Sequence, residues 1–463
     1  MTATSARRIT AGALLLSVGA TLVAIAGGFD DPPALRTLLV LLALAPLFTV
    51  ALVPELRAAL TVRATLFATA VLTVGAVVLP PSESHDLWSY AMNGRIVSHY
   101  GSSPYVHSPA HYPHDAFLHL VGSGWRSTRS VYGPVFTWIS AALTGVTGTN
   151  ELATRLAFQL LAALAVLVAV VLVARETHDP VAVLVIGVNP VVAMEIVNPG
   201  RNDALVGLAL LGGVILLQRR RPVAAIAVVT LAVLVKAVAV LALGALLLWV
   251  AVHLGRRVAV RAGALAVAML VVPYLLVGGL TALRPLASAS DRLSRASIWQ
   301  VARRDGIEHL LGTEPAEAVR RVLAWVGPVA LLVIAALALV WVVSRLTDPT
   351  PELVAVAAVA AFLLAGAYVL GSYVMWVLPL VAWRHRAGVS RILVVWSSLL
   401  LLAYQAARGM PSSAGDAVAW LGSLLTVSVA LVAVVALTVT AVSRLRRTKA
   451  SRPVPSAVPK LAP

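Results

Sequence analysis

Apolar runs of close to bilayer-crossing length recur from Thr10 to Ser443, and this feature restricts the fold more than any other. Runs so long and continuous read as helices. They cover Thr10 to Gly28, Leu35 to Val53, Arg63 to Leu79, Thr154 to Ala174, Val181 to Val197, Asp203 to Leu217, Pro222 to Ala237 and Val238 to Leu254. Further runs are Val258 to Gly279, Leu323 to Ser344, Glu352 to Leu370, Tyr373 to Trp383, Val389 to Ala407 and Asp416 to Ser443. Several fall short of the ~20 residues of a full crossing. Pro190, Pro273 and Pro379 stand in or beside them, so broken or half-length helices are expected. The fold class is therefore an all-α polytopic membrane protein with about 14 transmembrane helices. Composition agrees: 60% of the 463 residues are hydrophobic and only 12% charged, too apolar for a water-facing surface. The absence of cysteine excludes disulfides, thiolate catalysis and Cys-ligated metal. In a soluble chain a net charge of +17 would raise nucleic-acid binding, but here it reads as topology and attraction to anionic headgroups.

Where the charges stand sets the orientation. Tyr132 to Thr147 is the deciding stretch, because counting it as a span puts Arg219-Arg220-Arg221, Arg256-Arg257 and Arg384-His385-Arg386 outside. That violates the positive-inside bias. Read instead as an interfacial or re-entrant helix on the outer side, it places all these clusters inside. Arg7-Arg8, Arg175, Arg345 and the tail from Arg444 then join them, with both termini cytoplasmic. Ala24-Ile25-Ala26 imitates a signal-peptidase site, but the first span is read as uncleaved. Residues 1–443 form one membrane unit, and 444–463 a basic cytoplasmic tail expected to be disordered. Two large external loops remain, 80–153 and 281–322. The arginines of the second (Arg284, Arg292, Arg295, Arg303, Arg304, Arg320, Arg321) form either an ordinary charged surface or a cradle for lipid phosphate.

Polar chemistry concentrates in the first external loop and in one turn. The loop opens with His85-Asp86-Leu87-Trp88-Ser89-Tyr90, continues through Asn93-Gly94-Arg95 and Ser103-Pro104-Tyr105, and closes with Ser130-Val131-Tyr132-Gly133-Pro134. Asp86 is a helix-flanking acid, a partner for Arg95, or a general base at a cavity mouth. The aromatics form an interfacial belt or a wall for sugar faces. Six of the ten histidines lie between His85 and His119, but Pro109 and Pro113 break the helical His-x-x-x-His geometry of a zinc site, and no metal is expected. The turn Asn198-Pro199-Gly200-Arg201-Asn202-Asp203 joins two short helices, with Asp203 placed to cap the second. Glu195, Asp203 and Lys236 are ionisable groups near or within membrane depth and are candidates on that ground.

The order Asp86-x-Trp88-x-Tyr90, Gly94-Arg95, Pro104-Tyr105, Tyr132-Gly133-Pro134, Asn189-Pro190, Asn202-Asp203, Lys236 and Tyr373-x-x-Trp376-x-x-Pro379 resembles a known family. It is that of the polyprenyl-phosphate-mannose-dependent α-(1→6)-mannosyltransferases, integral membrane enzymes of the GT-C superfamily. The resemblance implies a GT-C-type fold and Asp86 as catalytic base. It implies donor phosphate or sugar contacts from Arg95, Tyr132, Arg201, Asn202, Asp203 and Lys236. Trp88, Tyr90, Tyr105, Glu195, Tyr373 and Trp376 would line the pocket or the acceptor site. Where the family commonly has His-Asn-Asp, this chain has Arg201 before Asn202 and Asp203. The implied partners are a polyprenyl phosphosugar donor, a glycolipid or mannan acceptor and membrane lipids, with no nucleic acid and no cofactor. The implied reaction is inverting mannosyl transfer on the outer face of a bacterial-type plasma membrane. Polyprenyl phosphoarabinose is the alternative donor. A transporter or lipid flippase is the rival class, but it would hold its ionisable groups at the midplane rather than on one face.

Overall fold

The computed structural model describes residues 1–28, 32–82, 84–289, 350–366, 368–383 and 388–405, with a few isolated positions between 294 and 322. Within them every regular element is helical. The chain is an all-α polytopic membrane protein. Five helical stretches, Ala3–Gly27, Ala34–Leu52, Glu151–Thr177, Pro180–Val197 (interrupted at Pro190) and Arg256–Leu276, are long and apolar enough to cross a bilayer, and shorter apolar helices pack among them. The expected spans Leu323 to Ser344 and Asp416 to Ser443, the tail from Arg444, and most of the loop 281–322 lie outside the described residues.

The local reasons for these boundaries are visible in the chain. Helix α1 (Ala3–Gly27) starts at Thr2, whose side chain accepts the Ser5 N–H. It packs on α2 (Pro33–Leu52), where Ser17 Oγ donates to the Ala43 carbonyl at 2.7 Å. Between lipid-embedded helices such hydrogen bonds and small-residue contacts substitute for the hydrophobic drive available in water. Helix α3 (Val62–Val78) leads to the first large loop, which contains α4 (Asp86–Ser98) and α5 (Pro134–Thr147) packed together. Helix α5 is 14 residues long, about 21 Å, which is short of a ~30 Å hydrocarbon core. Helix α6 (Glu151–Thr177) is capped by Asn150, and α7 (Pro180–Gly187) by Asp179.

The run Val181 to Val197 is broken at Pro190, as the proline predicts. Pro190 has no N–H, and Asn189 before it is extended (φ −70°, ψ 120°), so α7 ends and a turn of π-helix, Ala193–Val197, follows. Helices α8 (Asp203–Gln218), α9 (Pro222–Val235), α10 (Val240–His253) and α11 (Arg256–Leu276) complete the first part. After α12 (Pro351–Ala365), the run Tyr373 to Trp383 is broken as well, as Pro379 predicts. It is a 3-10 segment, Gly371–Trp376, and a six-residue helix α13 (Leu378–Trp383) around Pro379. Helix α14 (Gly388–Gln405) closes the described chain. One contiguous buried cluster extends from Leu14 in α1 to Leu401 in α14, so the broken segments around 190, 236 and 371 are held inside a common core.

Candidate active site

Asp86 is the first residue of α4, where a carboxylate favours the helix dipole. Its partner is not Arg95, as one reading of the sequence had it, but Arg201, whose Nε lies 3.2 Å from Asp86 Oδ2. The turn that delivers Arg201 depends on Gly200, held at φ +63°. A Cβ there would also approach Leu87 Cδ1 and the Phe158 backbone to 3.1 Å. Arg201 meets a second acid, Glu195 Oε2, through Nη1 at 2.9 Å. Glu195 projects from the π-turn, and such turns re-aim a side chain away from regular helical phase. Beyond it Gln405 Nε2 donates to Glu195 Oε1 at 3.1 Å, and Arg36 Nε donates to Gln405 Oε1 at 2.7 Å. Arg36 also donates to the Gly28 carbonyl. A buried polar chain therefore runs from Arg36 in α2, through α14 and the π-turn, to Asp86. Burial pulls the Arg201 guanidinium down, but Asp86 and Glu195 outweigh it and hold the group above its ordinary range.

A second set forms around Asp203. The expectation that Asp203 caps α8 is corrected: no side-chain cap bond forms, and the carboxylate turns sideways. Its Oδ1 accepts from Lys236 Nζ at 2.7 Å and from Trp376 Nε1 at 2.6 Å. Lys236 interrupts α9 in an extended conformation (φ −149°, ψ 118°) before a 3-10 turn. Its ammonium sits 4.3 Å from the centre of the Tyr373 ring and 5.1 Å from that of Trp376, which stack on each other at 4.2 Å. The Tyr-Gly-Pro motif now has a physical account. The Gly133 N–H donates to the Val235 carbonyl at 3.0 Å, and a Cβ on Gly133 would fall 2.1 Å from the Leu234 oxygen. Only glycine lets this loop close on the Lys236 break, and that contact seats Tyr132.

Both sets border one open cavity, about 90 Å³ in volume, lined by Asp86, Tyr132, Asp203, Lys236, Ser372 and Tyr373, with Tyr90, Trp125 and Tyr368 also in its wall. Burial, then the nearby Asp86 charge, pushes the Tyr132 hydroxyl up, so the ring borders the cavity as a neutral phenol. Three carboxylates here face two cations, Arg201 and Lys236.

Other residues expected at the site lie elsewhere. Arg95 is buried away from the cavity, with its Nε 2.8 Å from Asp115 Oδ2 and its guanidinium over the Phe117 ring. Tyr105 directs its hydroxyl to the Tyr132 carbonyl and to Thr137 Oγ1, so it supports the loop from behind. Trp88 packs against Phe117, and Asn202 is buried with no partner for its amide among the described residues. Glu195 and Trp376 stand behind the lining residues. Among the described residues no three acid or histidine side chains are placed to hold a metal. Arg36 and Gln405 went unread in the sequence. The available signal was a lone charge and a lone amide within apolar runs, the same signal that singled out Lys236.

The arrangement can do two things at one place. A carboxylate at the cavity wall, ion-paired through one oxygen, can take a proton from a hydroxyl. An ammonium with one of its three donors committed to Asp203 retains two for an anion.

Comparison with known proteins bears on which reaction this is. Residues 10–253 match the family described as alpha-(1→6)-mannopyranosyltransferase, N-terminal domain, a region that holds Asp86, Glu195, Arg201, Asp203 and Lys236. The chain is 33% identical over 198 residues to alpha-(1→6)-mannopyranosyltransferase A of Corynebacterium glutamicum, covering 42% of this chain and 39% of that protein. It is likewise 33% identical over 192 residues to alpha-(1→6)-mannopyranosyltransferase A of Mycobacterium tuberculosis, covering 40% of this chain and 37% of that protein. The matched segment thus spans about two fifths of the length of either relative. No solved structure matches the chain.

Proposed function

The chain belongs to the alpha-(1→6)-mannopyranosyltransferase family, and from that premise we propose that it transfers mannose from a polyprenyl phosphate donor to a hydroxyl of a lipid-linked mannan-type acceptor. The reaction would take place on the outer face of the membrane, with both termini cytoplasmic. The observation that carries this reading is the meeting of the Asp86 carboxylate and the Lys236 ammonium on the wall of one cavity.

Lys236 binds the donor phosphate. Its bond to Asp203 and its seat on the Tyr373 and Trp376 rings fix the ammonium, while the remaining donors face the anion. Asp86 is the general base. Arg201 holds one of its oxygens, and the other takes the acceptor proton. The acceptor oxygen then forms its bond to the anomeric carbon as the bond from that carbon to the phosphate oxygen breaks. The phosphate leaves with the electron pair. It needs no general acid, so a single carboxylate is enough, unlike the pair required for glycoside hydrolysis. Attack opposite the leaving group inverts the centre, so a β-linked donor yields an α-mannoside. Arg201 is engaged by two carboxylates and is a positioning residue rather than a phosphate ligand. With three acids facing two cations, further positive charge for the phosphate must come from elsewhere. The arginines of segment 281–322 remain the candidates, most of them outside the described residues.

The test is transfer by purified full-length protein in proteoliposomes, given labelled polyprenyl phosphomannose and a short α-(1→6)-mannoside acceptor. Wild type is expected to transfer, and Asp86→Asn to lose roughly 10²- to 10⁴-fold in kcat, the usual contribution of a general base. Full activity in Asp86→Asn removes the base assignment. Activity with polyprenyl phosphoarabinose but not phosphomannose reassigns the donor.

A further inference from the structure

The face of α4 that carries Asp86 bears two more polar groups that nothing among the described residues satisfies. Asp86, Ser89 and Asn93 stand at i, i+3 and i+7, one stripe along the helix, with Ser89 about 4.5 Å and Asn93 about 10.5 Å along the axis from Asp86. Ser89 and Asn93 are each only 6% exposed, yet Ser89 Oγ and Asn93 Oδ1 have no hydrogen-bond partner. Both line a recess between α4 and the segment that ends at Tyr132, together with Arg129 and Ser130. Its volume is about 10 Å³, the room of one water molecule or one hydroxyl group. Trp125, Val131 and Tyr132 are shared walls of this recess and of the Asp86 cavity.

A buried polar atom without a partner opposes folding, and two of them a helical turn apart are a standing cost to the fold unless something completes them. The geometry of the recess limits what that can be. It is too small for a sugar ring or a phosphate, and it suits one hydroxyl inserted from the neighbouring cavity. Trp125 and Tyr132 wall both the recess and the cavity, and such aromatic faces suit the apolar side of a pyranose.

We propose that this stripe is the acceptor subsite. An acceptor saccharide lies along α4 with its reacting hydroxyl at Asp86 and a second, non-reacting hydroxyl in the recess. There that hydroxyl donates to Asn93 Oδ1 and exchanges a hydrogen bond with Ser89 Oγ. The ligand class is a polyol, recognised by orphaned neutral groups, in contrast to the anion held by Lys236. The proposal rests on the reading of Asp86 as the base.

Ser89→Ala, Asn93→Leu and the double variant test it in proteoliposomes, with acceptor varied at saturating donor and donor varied at saturating acceptor. The acceptor KM is expected to rise roughly tenfold per substitution, while kcat and the donor KM stay within about twofold. Melting temperatures should equal or exceed that of wild type, because each change removes an unsatisfied buried atom. A merely structural role moves melting temperature downward. An unchanged acceptor KM, or donor and acceptor KM rising in step, overturns the subsite, since a recess that serves only water is indifferent to the acceptor. A deoxy-acceptor lacking the inserted hydroxyl provides the second probe: wild type should discriminate against it, and Asn93→Leu should not. Equal discrimination by both also overturns it. Full transfer by Asp86→Asn is a failure of the base reading itself. An inactive Asp86→Asn beside an unchanged acceptor KM in the other variants brings down the subsite alone.

Discussion

At the scale of single residues, the site is built from charges that cannot be exchanged like for like. Arg201 donates from Nη1 to Glu195 and faces Asp86 with Nε as a close ion pair without a hydrogen bond, a planar arrangement that a lysine ammonium does not reproduce. Arg201→Lys should therefore lower kcat at least about tenfold with little change in donor KM, measured by steady-state transfer. Lys236 has a structural and a chemical duty that substitution can separate. Asp203 is 1% exposed, so Lys236→Met strands a buried carboxylate and should destabilise the fold by about 3–5 kcal/mol. Adding Asp203→Asn should recover most of that stability, read as the thermal midpoint in detergent. Transfer should stay absent, because the ammonium proposed to bind the phosphate is still missing. Recovery of both together would reduce Lys236 to a counter-ion. The motif residues that resemblance placed at the site divide in the same manner. Asp86, Tyr132 and Lys236 line the cavity, while Arg95 and Tyr105 hold the loop behind it.

At the scale of elements, the breaks in helices do the positioning. The Asn189-Pro190 interruption sets the π-turn that aims Glu195, the left-handed Gly200 turns Arg201 toward Asp86, and the end of α9 exposes Lys236. Gly200→Ala should cost about 1–3 kcal/mol for the left-handed backbone, with transfer falling further than stability because Arg201 shifts. Melting and kcat measured on the same preparation decide this. Helix α14 enters the site through one amide. Gln405 joins Arg36 to Glu195, so Gln405→Met, which keeps the volume, should lower kcat several-fold. It should add less than about twofold once Glu195→Gln has already cut the link. Independent, multiplying losses would mean that α14 acts on the fold as a whole and not through this chain of bonds.

At the scale of the whole molecule, the absence of cysteine makes the orientation directly measurable. With the proposed topology, Val146→Cys at the exposed end of α5 should react with a membrane-impermeant maleimide in intact cells, and Arg220→Cys should react only after permeabilisation. The reverse pattern would turn α5 into a crossing helix and invert everything after it. Much of this architecture was legible in the chain. Apolar run length predicts most of the described helices to within a few residues, since a helix in lipid satisfies its own backbone and needs little information from its neighbours. Proline and glycine marked where helices fail, and lone charges in apolar runs marked Asp203 and Lys236 as residues with partners to find. The breaks in Val181 to Val197 and Tyr373 to Trp383 are predicted by Pro190 and Pro379, but a proline tells only that a helix breaks and not how the two pieces then pack. The choice of partners was legible only in part: the sequence pattern and the resemblance put Asp86, Asp203 and Lys236 at one site, but not which charge meets which. Arg95 joins Asp115 and leaves Asp86 to Arg201, and Gln405 meets Glu195 across 210 residues of sequence. By itself the sequence determined the helices, their breaks and the identity of the scarce ionisable groups, all of which follow from local run length, side-chain chemistry and charge count. Only the tertiary structure decided which of those groups meet, because buried charge pairs and orphaned hydroxyls depend on the rotation and depth of each packed helix, to within the reach of a hydrogen bond.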